Sequence, residues 1–191
     1  MRKGKELEMK LKVGIKLATI GVFGMLLISG ILSVLAIRSN EAALTKSLGE
    51  KAKSIALSAS LAIDAEKFSE LAKNENEKSP YYQATQKWMN QLREKTGAKY
   101  LYTLVQENDT QYRYIVDGYD SSDKENFSSI GSIDEKSNYD KELDLVFQDG
   151  KSRYSAIYEN ETWGSLISAF APIVDKSGTV VGIVGCDISS N

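Results

Sequence analysis

The chain has 191 residues, a formal net charge of −2, a single cysteine and no histidine, a size that accommodates one ordinary domain with its own core beside a shorter segment. The missing histidine removes imidazole acid–base catalysis, a phospho-accepting histidine and the commonest zinc ligand. With Cys186 alone no intrachain disulfide can form, so stability rests on packing, and the interspersed charges lack the basic stripe that nucleic acid demands.

Residues 1–16 carry Arg2, Lys3, Lys5, Lys10, Lys12 and Lys16 against Glu6 and Glu8. Leu17 to Ile37 then runs for 21 residues without a charge. At about 1.5 Å per residue such a helix matches the roughly 30 Å of a bilayer's hydrocarbon core. Its leucine, isoleucine, valine and phenylalanine side chains favour insertion by about 5 kcal/mol. The basic flank keeps residues 1–16 in the cytoplasm, so residues 17–37 are expected to cross the cell membrane once and residues 38–191 to form an extracytoplasmic domain. A cleaved signal peptide would have an apolar centre of only about 7 to 15 residues and a small-residue cleavage site, and neither is present.

Leu44, Leu48, Ala52, Ile55, Ala59 and Ala62 recur in steps of three and four, which predicts a long helix to about Ile63. Paired copies could bury this stripe, with Ser29 and Ser33 as a small-residue contact in the membrane, so a homodimer is expected; the alternative is that the stripe packs on its own domain. Gly49 weakens the helix by about 1 kcal/mol relative to alanine. Asp64 can cap a turn carrying Phe68 and Leu71, and a polar loop runs to Pro80. A helix over Tyr81 to Lys95 presents Trp88, Met89 and Leu92 and stops near Gly97.

Lys99 to Gln106 and Gln111 to Asp117 are rich in aromatic and β-branched residues and should pair as an antiparallel hairpin. Residues 118–138 are polar and too long for a simple connection, which marks a functional loop. A short helix is predicted over Tyr139 to Gln148, ending at Gly150. Strands follow at Ser152 to Tyr158, Gly164 to Val174 and Thr179 to Ile188, with Asp175 to Gly178 as the last turn. The expectation is an α+β fold in which a long helix precedes a five-stranded antiparallel sheet.

Alternation puts Tyr100 with Tyr102, and Tyr112 with Tyr114, on shared faces. A tyrosine encloses with its ring and orients with its hydroxyl, so Tyr102 and Tyr114 are candidate ligand contacts. Tyr154 and Ser168 could add hydroxyls, and Trp163 could cover a ligand and donate one hydrogen bond. Arg113 alternates with Tyr114 and should face away. Asp117 and Asp187 close their strands and could balance a ligand amine, or equally bind backbone N–H groups at a turn. The acidic group Asp117, Asp120, Asp123 and Glu125 lacks EF-hand spacing and reads as solvated charge. No glycine-rich phosphate loop, metal-ligand cluster or nucleophile elbow occurs, so no catalytic residue, metal or cofactor is expected.

Tyr100-Leu-Tyr-Thr103, Tyr114-Ile-Val-Asp-Gly118, Trp163-Gly164, Ser168-Ala-Phe-Ala-Pro-Ile173 and Gly178 to Ile188, in this order after one span, resemble an extracytoplasmic Cache domain. That is the PAS-like sensor of bacterial chemoreceptors, histidine kinases and diguanylate cyclases. The resemblance covers about residues 38–190. It implies a long helix on one sheet face, a small-molecule pocket under loops on the other, and a ligand such as an amino acid or carboxylate. It also implies a role in transmembrane signalling or chemotaxis, and with no output module in these 191 residues, either a receptor fragment or a sensor acting through a partner protein. The other reading is a membrane-tethered protein-interaction domain with a PAS-like fold and no metabolite.

Overall fold

A computed structural model describes residues 2–160 and 164–190. Two units make up the chain, one up to Leu44 and one from Thr45 onward. The helix α1 (Arg2–Ala62) contributes to both.

In the first unit α1 is apolar enough, and from Thr19 onward long enough, to cross a bilayer. Phe23, Leu26, Ile28 and Leu32 are exposed. The Ser33 hydroxyl donates to the Ser29 carbonyl at 2.8 Å. It therefore satisfies its own polarity within the helix.

The second unit is built on one antiparallel sheet. Side-chain caps open two of its helices. Both the Glu66 and the Lys67 amides donate to Asp64 Oδ1 at 3.1 Å to open α2 (Ala65–Asn74), while Ser79 and Pro80 open α3 (Pro80–Thr96) and Gly97 closes it. The strands are β1 (Tyr100–Gln106), β2 (Gln111–Asp117), β3 (Ile133–Glu135), β4 (Arg153–Tyr154), β5 (Tyr158–Asn160), β6 (Gly164–Val174) and β7 (Val180–Ser189), with α4 (Glu142–Asp149) between β3 and β4. Their order across the sheet is β3-β2-β1-β7-β6-β4, and β5 also pairs with β6.

The sheet thus exceeds five strands through two short additions. β3 comes from the long polar loop. The expected strand over Ser152 to Tyr158 divides into β4 and β5, because the Ser155 hydroxyl accepts the Ser168 amide at 3.0 Å and so replaces a backbone ladder bond with a side-chain bond.

Alternation gives each long strand two working faces. Leu101 and Val105 of β1, Ile167, Ala169 and Ile173 of β6, and Val184, Cys186 and Ile188 of β7 form a core with α1, Phe68, Leu71 and Met89. Ala52, Ile55, Ala56 and Ala59 of α1 are buried in it. The central part of the apolar stripe, from Leu48 to Ala59, is therefore covered by its own sheet, while the large apolar side chains of Leu57 and Leu61 stay exposed. A Cβ on Gly49 would come within 2.2 Å of the Tyr154 ring, so the residue that weakens the helix is what lets Tyr154 lie against it.

On the opposite face Leu104, Tyr112, Phe170 and Ile183 are covered by Leu143 and Val146 of α4. The Tyr112 and Phe147 rings stack there with centroids 5.5 Å apart. Beyond this small core the same face is lined by polar groups.

Candidate ligand-binding site

The position of Asp117 depends on a β-bulge. Tyr102 pairs with Asp117 and Leu104 with Tyr114, so two residues on β1 span what takes three on β2. Ile115 and Val116 both face the helix-side core, and Asp117 returns to the face that carries Tyr114. Strict alternation would have sent Asp117 to the helix side. The bulge is pinned by Thr103, whose hydroxyl donates to the Val116 carbonyl at 3.1 Å and accepts from the Val116 amide at 2.8 Å. Bulges characteristically re-aim a side chain in this way.

Asp117 joins a cavity of about 480 Å³ on the sheet face away from α1, a volume suited to a small metabolite. Its strand-borne walls are Tyr100 and Tyr102 of β1, Tyr114 and Asp117 of β2, Tyr158 of β5, Leu166 of β6 and Asp187 of β7. The loop between β2 and β3, β3 itself and the short turn after it add Asn126, Ser128, Ser132, Ile133, Asp134, Asn138 and Tyr139. Gly185 sits opposite Tyr102 on β7, where a Cβ would meet the Tyr102 ring at 2.3 Å. Only a glycine lets that ring lie over the strand.

The polar groups are held before any ligand arrives. The Tyr102 and Tyr114 rings are 5.6 Å apart, and the Tyr139 hydroxyl donates to the Tyr114 hydroxyl at 2.8 Å. Tyr100 donates to Asn126 Oδ1 at 3.0 Å. The Tyr158 and Ser168 hydroxyls are bonded at 2.9 Å. Asp117 accepts the Tyr119 amide on Oδ1 and the Ser128 amide on Oδ2, both at 2.8 Å, and so ties the loop to the strand. Asp187 accepts the Tyr102 hydroxyl at 3.4 Å.

Both carboxyls are buried, Asp117 at 4% and Asp187 at 7% exposure. Burial raises the Asp187 carboxyl to about 7; hydrogen bonds from Ser168 and Tyr102 pull against this, and the charge of Asp117 adds to it. Burial likewise pushes Asp117 up to about 6, against the amides of Ser128 and Tyr119 and the more distant Arg93. The Tyr100 and Tyr158 phenols are raised to about 12, chiefly by burial, so the hydroxyls stay protonated and able to donate.

Of the residues singled out in the sequence, the structure brings together Tyr102, Tyr114, Asp117 and Asp187. Ser168 stands behind the wall, opposite Asp187 on β6. Tyr154 does not reach the cavity: it belongs to the helix-side core, with the Lys53 ammonium 5.4 Å from its ring centroid. The Ser155 break separates it from β5, so Tyr158 is the tyrosine of this segment that faces the site. Trp163 lies outside the described residues. Arg113 points away, bonding the Ala72 carbonyl at 2.9 Å, Glu107 at 2.6 Å and Glu75. Tyr100 was within reach of the alternation argument, since it shares a face with Tyr102. The loop residues, Tyr139 and Asp134 carry no periodicity that could have marked them.

The helices α1, α2 and α3 on one face of an antiparallel sheet, with the short α4 and a ligand-sized cavity under loops on the other, give the chain a PAS-like architecture. No family model matches the chain, and none of the curated proteins matches it either. Among solved structures, the chain is similar to the Escherichia coli DcuS sensor domain, with 13% identity, 78% of this chain and 90% of that chain covered, and a TM-score of 0.45. It is also similar to the extracellular domain of the putative histidine kinase mmHK1S-Z2, with 14% identity, coverage of 81% and 61%, and a TM-score of 0.45. A third likeness is to the ligand-binding domain of the Campylobacter jejuni chemoreceptor Tlp3 in complex with L-valine, with 13% identity, coverage of 78% and 62%, and a TM-score of 0.39.

Proposed function

We propose that this chain is the extracytoplasmic ligand-sensing part of a Cache-type membrane receptor, anchored by the apolar stretch of α1 and binding a small polar metabolite without transforming it. The observation that carries this reading is the cavity of about 480 Å³, in which tyrosine rings enclose the space while a few convergent hydroxyls and two buried carboxyls supply orientation. Tyr102, Tyr114, Asp117 and Asp187 are its proposed principal contacts, with Tyr100, Tyr139 and Tyr158 completing the wall. Ser168 is a supporting hydroxyl and Trp163 a proposed cover.

Ligand that binds only the folded state raises stability by about 2.7 kcal/mol at 100 times its dissociation constant. Thermal unfolding of the detergent-solubilised chain against a metabolite panel should therefore show discrete hits, and Tyr114→Ala should remove them while the domain still unfolds cooperatively. A panel without hits, or hits indifferent to Tyr114, would transfer the case to the protein-interaction reading.

A further inference from the structure

The charge inside the cavity is one-sided. Asp117, Asp187 and the half-buried Asp134 line it, and no lysine or arginine does among the described residues. The neighbouring positions outside the described residues, 161–163, are Glu, Thr and Trp and bring no cation either. The nearest basic side chains stand outside the lining, and from there the charge of Arg93 acts on the Asp117 carboxyl and that of Lys99 on the Asp187 carboxyl. Arg93 donates to the Gly118 carbonyl at 3.1 Å and lies 4.3 Å over the Tyr119 ring. Lys99 sits 5.7 Å from the Tyr100 ring centroid, and Lys136 is bonded to Asp144 at 3.0 Å.

A carboxylate entering this space would meet like charge and no guanidinium or ammonium in the lining to receive it, whereas an ammonium would meet carboxyl oxygens and the tilted rings of Tyr102 and Tyr114. The amides that could have cradled an anion, those of Tyr119 and Ser128, are already taken by Asp117. Built-in repulsion of this kind discriminates as strongly as attraction. We propose that the ligand of this cavity is an organic amine without a carboxylate, its ammonium seated between Asp117 and Asp187 and its carbon skeleton against Tyr102 and Tyr114. The inference rests on the ligand-sensing reading and narrows it, because an amino acid fits only half of this chemistry.

A matched series tests it on the full chain in detergent: isobutylamine, valine (the same skeleton with a carboxylate), 3-methylbutanoate (carboxylate without amine) and 1,4-diaminobutane, by calorimetry and thermal shift at pH 7.5. An amine should bind at least tenfold more tightly than valine, and 3-methylbutanoate should produce no shift. Asp187→Asn and Asp117→Asn should each weaken amine binding at least tenfold. Tighter binding of valine or 3-methylbutanoate would overturn the amine assignment and leave the sensing reading standing. Amine binding that survives both asparagine variants would overturn the placement of the ammonium. Silence from this series and from the wider metabolite panel would overturn both readings. The comparison within the unsubstituted chain decides the ligand class even if an asparagine variant fails to fold.

Discussion

Asp187 and Asp117 set the sign of the domain's response to pH. Their folded values of about 7 and about 6 lie above the ordinary carboxyl range, so between pH 4 and 7 the folded state holds protons that the unfolded chain has released. The unfolded state then binds fewer protons, and stability falls as pH rises through this window and levels off above it. Carboxyls held below their ordinary range, such as Asp149 at about 2 beside Arg153, act in the other direction and only below the window. At about 1.4 kcal/mol per pKa unit the fall from pH 4.5 to 8 amounts to a few kcal/mol. Denaturant unfolding of the ligand-free chain across this range should show it, and Asp187→Asn should flatten most of it while raising stability at pH 8. A stability that rose with pH over the same interval would contradict the burial argument.

At the scale of the element, β2 depends on one hydroxyl. Thr103→Val keeps the volume of the side chain but removes both bonds to Val116 and leaves that residue's buried amide without its acceptor. The expected cost is about 1–3 kcal/mol. Metabolite binding should fall further than stability does, because relaxation of the bulge turns Asp117 away from the cavity. A valine variant that loses stability yet binds unchanged would separate the bulge from the site.

The same element shows where sequence reading stops. Gln111 to Asp117 is legible as a strand to the residue, because its alternation of aromatic and β-branched side chains is strong, and β1 and β6 are legible for the same reason. The face of Asp117 is not, since period-two counting from Tyr114 assigns it to the helix side and nothing local announces that Thr103, on another strand, will capture Val116. The failure at Tyr154 is of the same type. An unbroken strand was the simplest reading of residues 152–158, and the Ser155 hydroxyl that interrupts it acts on a residue of β6. The helix ends at Asp64, Gly97 and Gly150 were legible, because these residues act on their own neighbours in sequence, whereas α4 starts at Glu142 and not at Tyr139, with no side-chain cap to mark it.

For the whole molecule the basic flank before α1's apolar stretch predicts its orientation. A translocation-dependent reporter fused after Asn191 should be active, and a reporter requiring the cytoplasm should be silent there. Replacing Lys10, Lys12 and Lys16 by glutamate removes much of the positive bias, and the fused population should become mixed. Unchanged orientation in that variant would mean that something other than the flank sets the topology.

Strand β7 joins two environments at the resolution of a single peptide. Asp187 looks into the cavity, while Cys186 and Ile188 on either side of it are packed in the layer that holds α1. A proton or a ligand that shifts Asp187 along or across the strand has no intervening loop in which to dissipate the movement, since the adjoining bonds belong to the residues wedged against the helix. Along this one strand the residue that meets the cavity and the residues that meet the helix are consecutive, so the two faces of the sheet share the same peptide bonds.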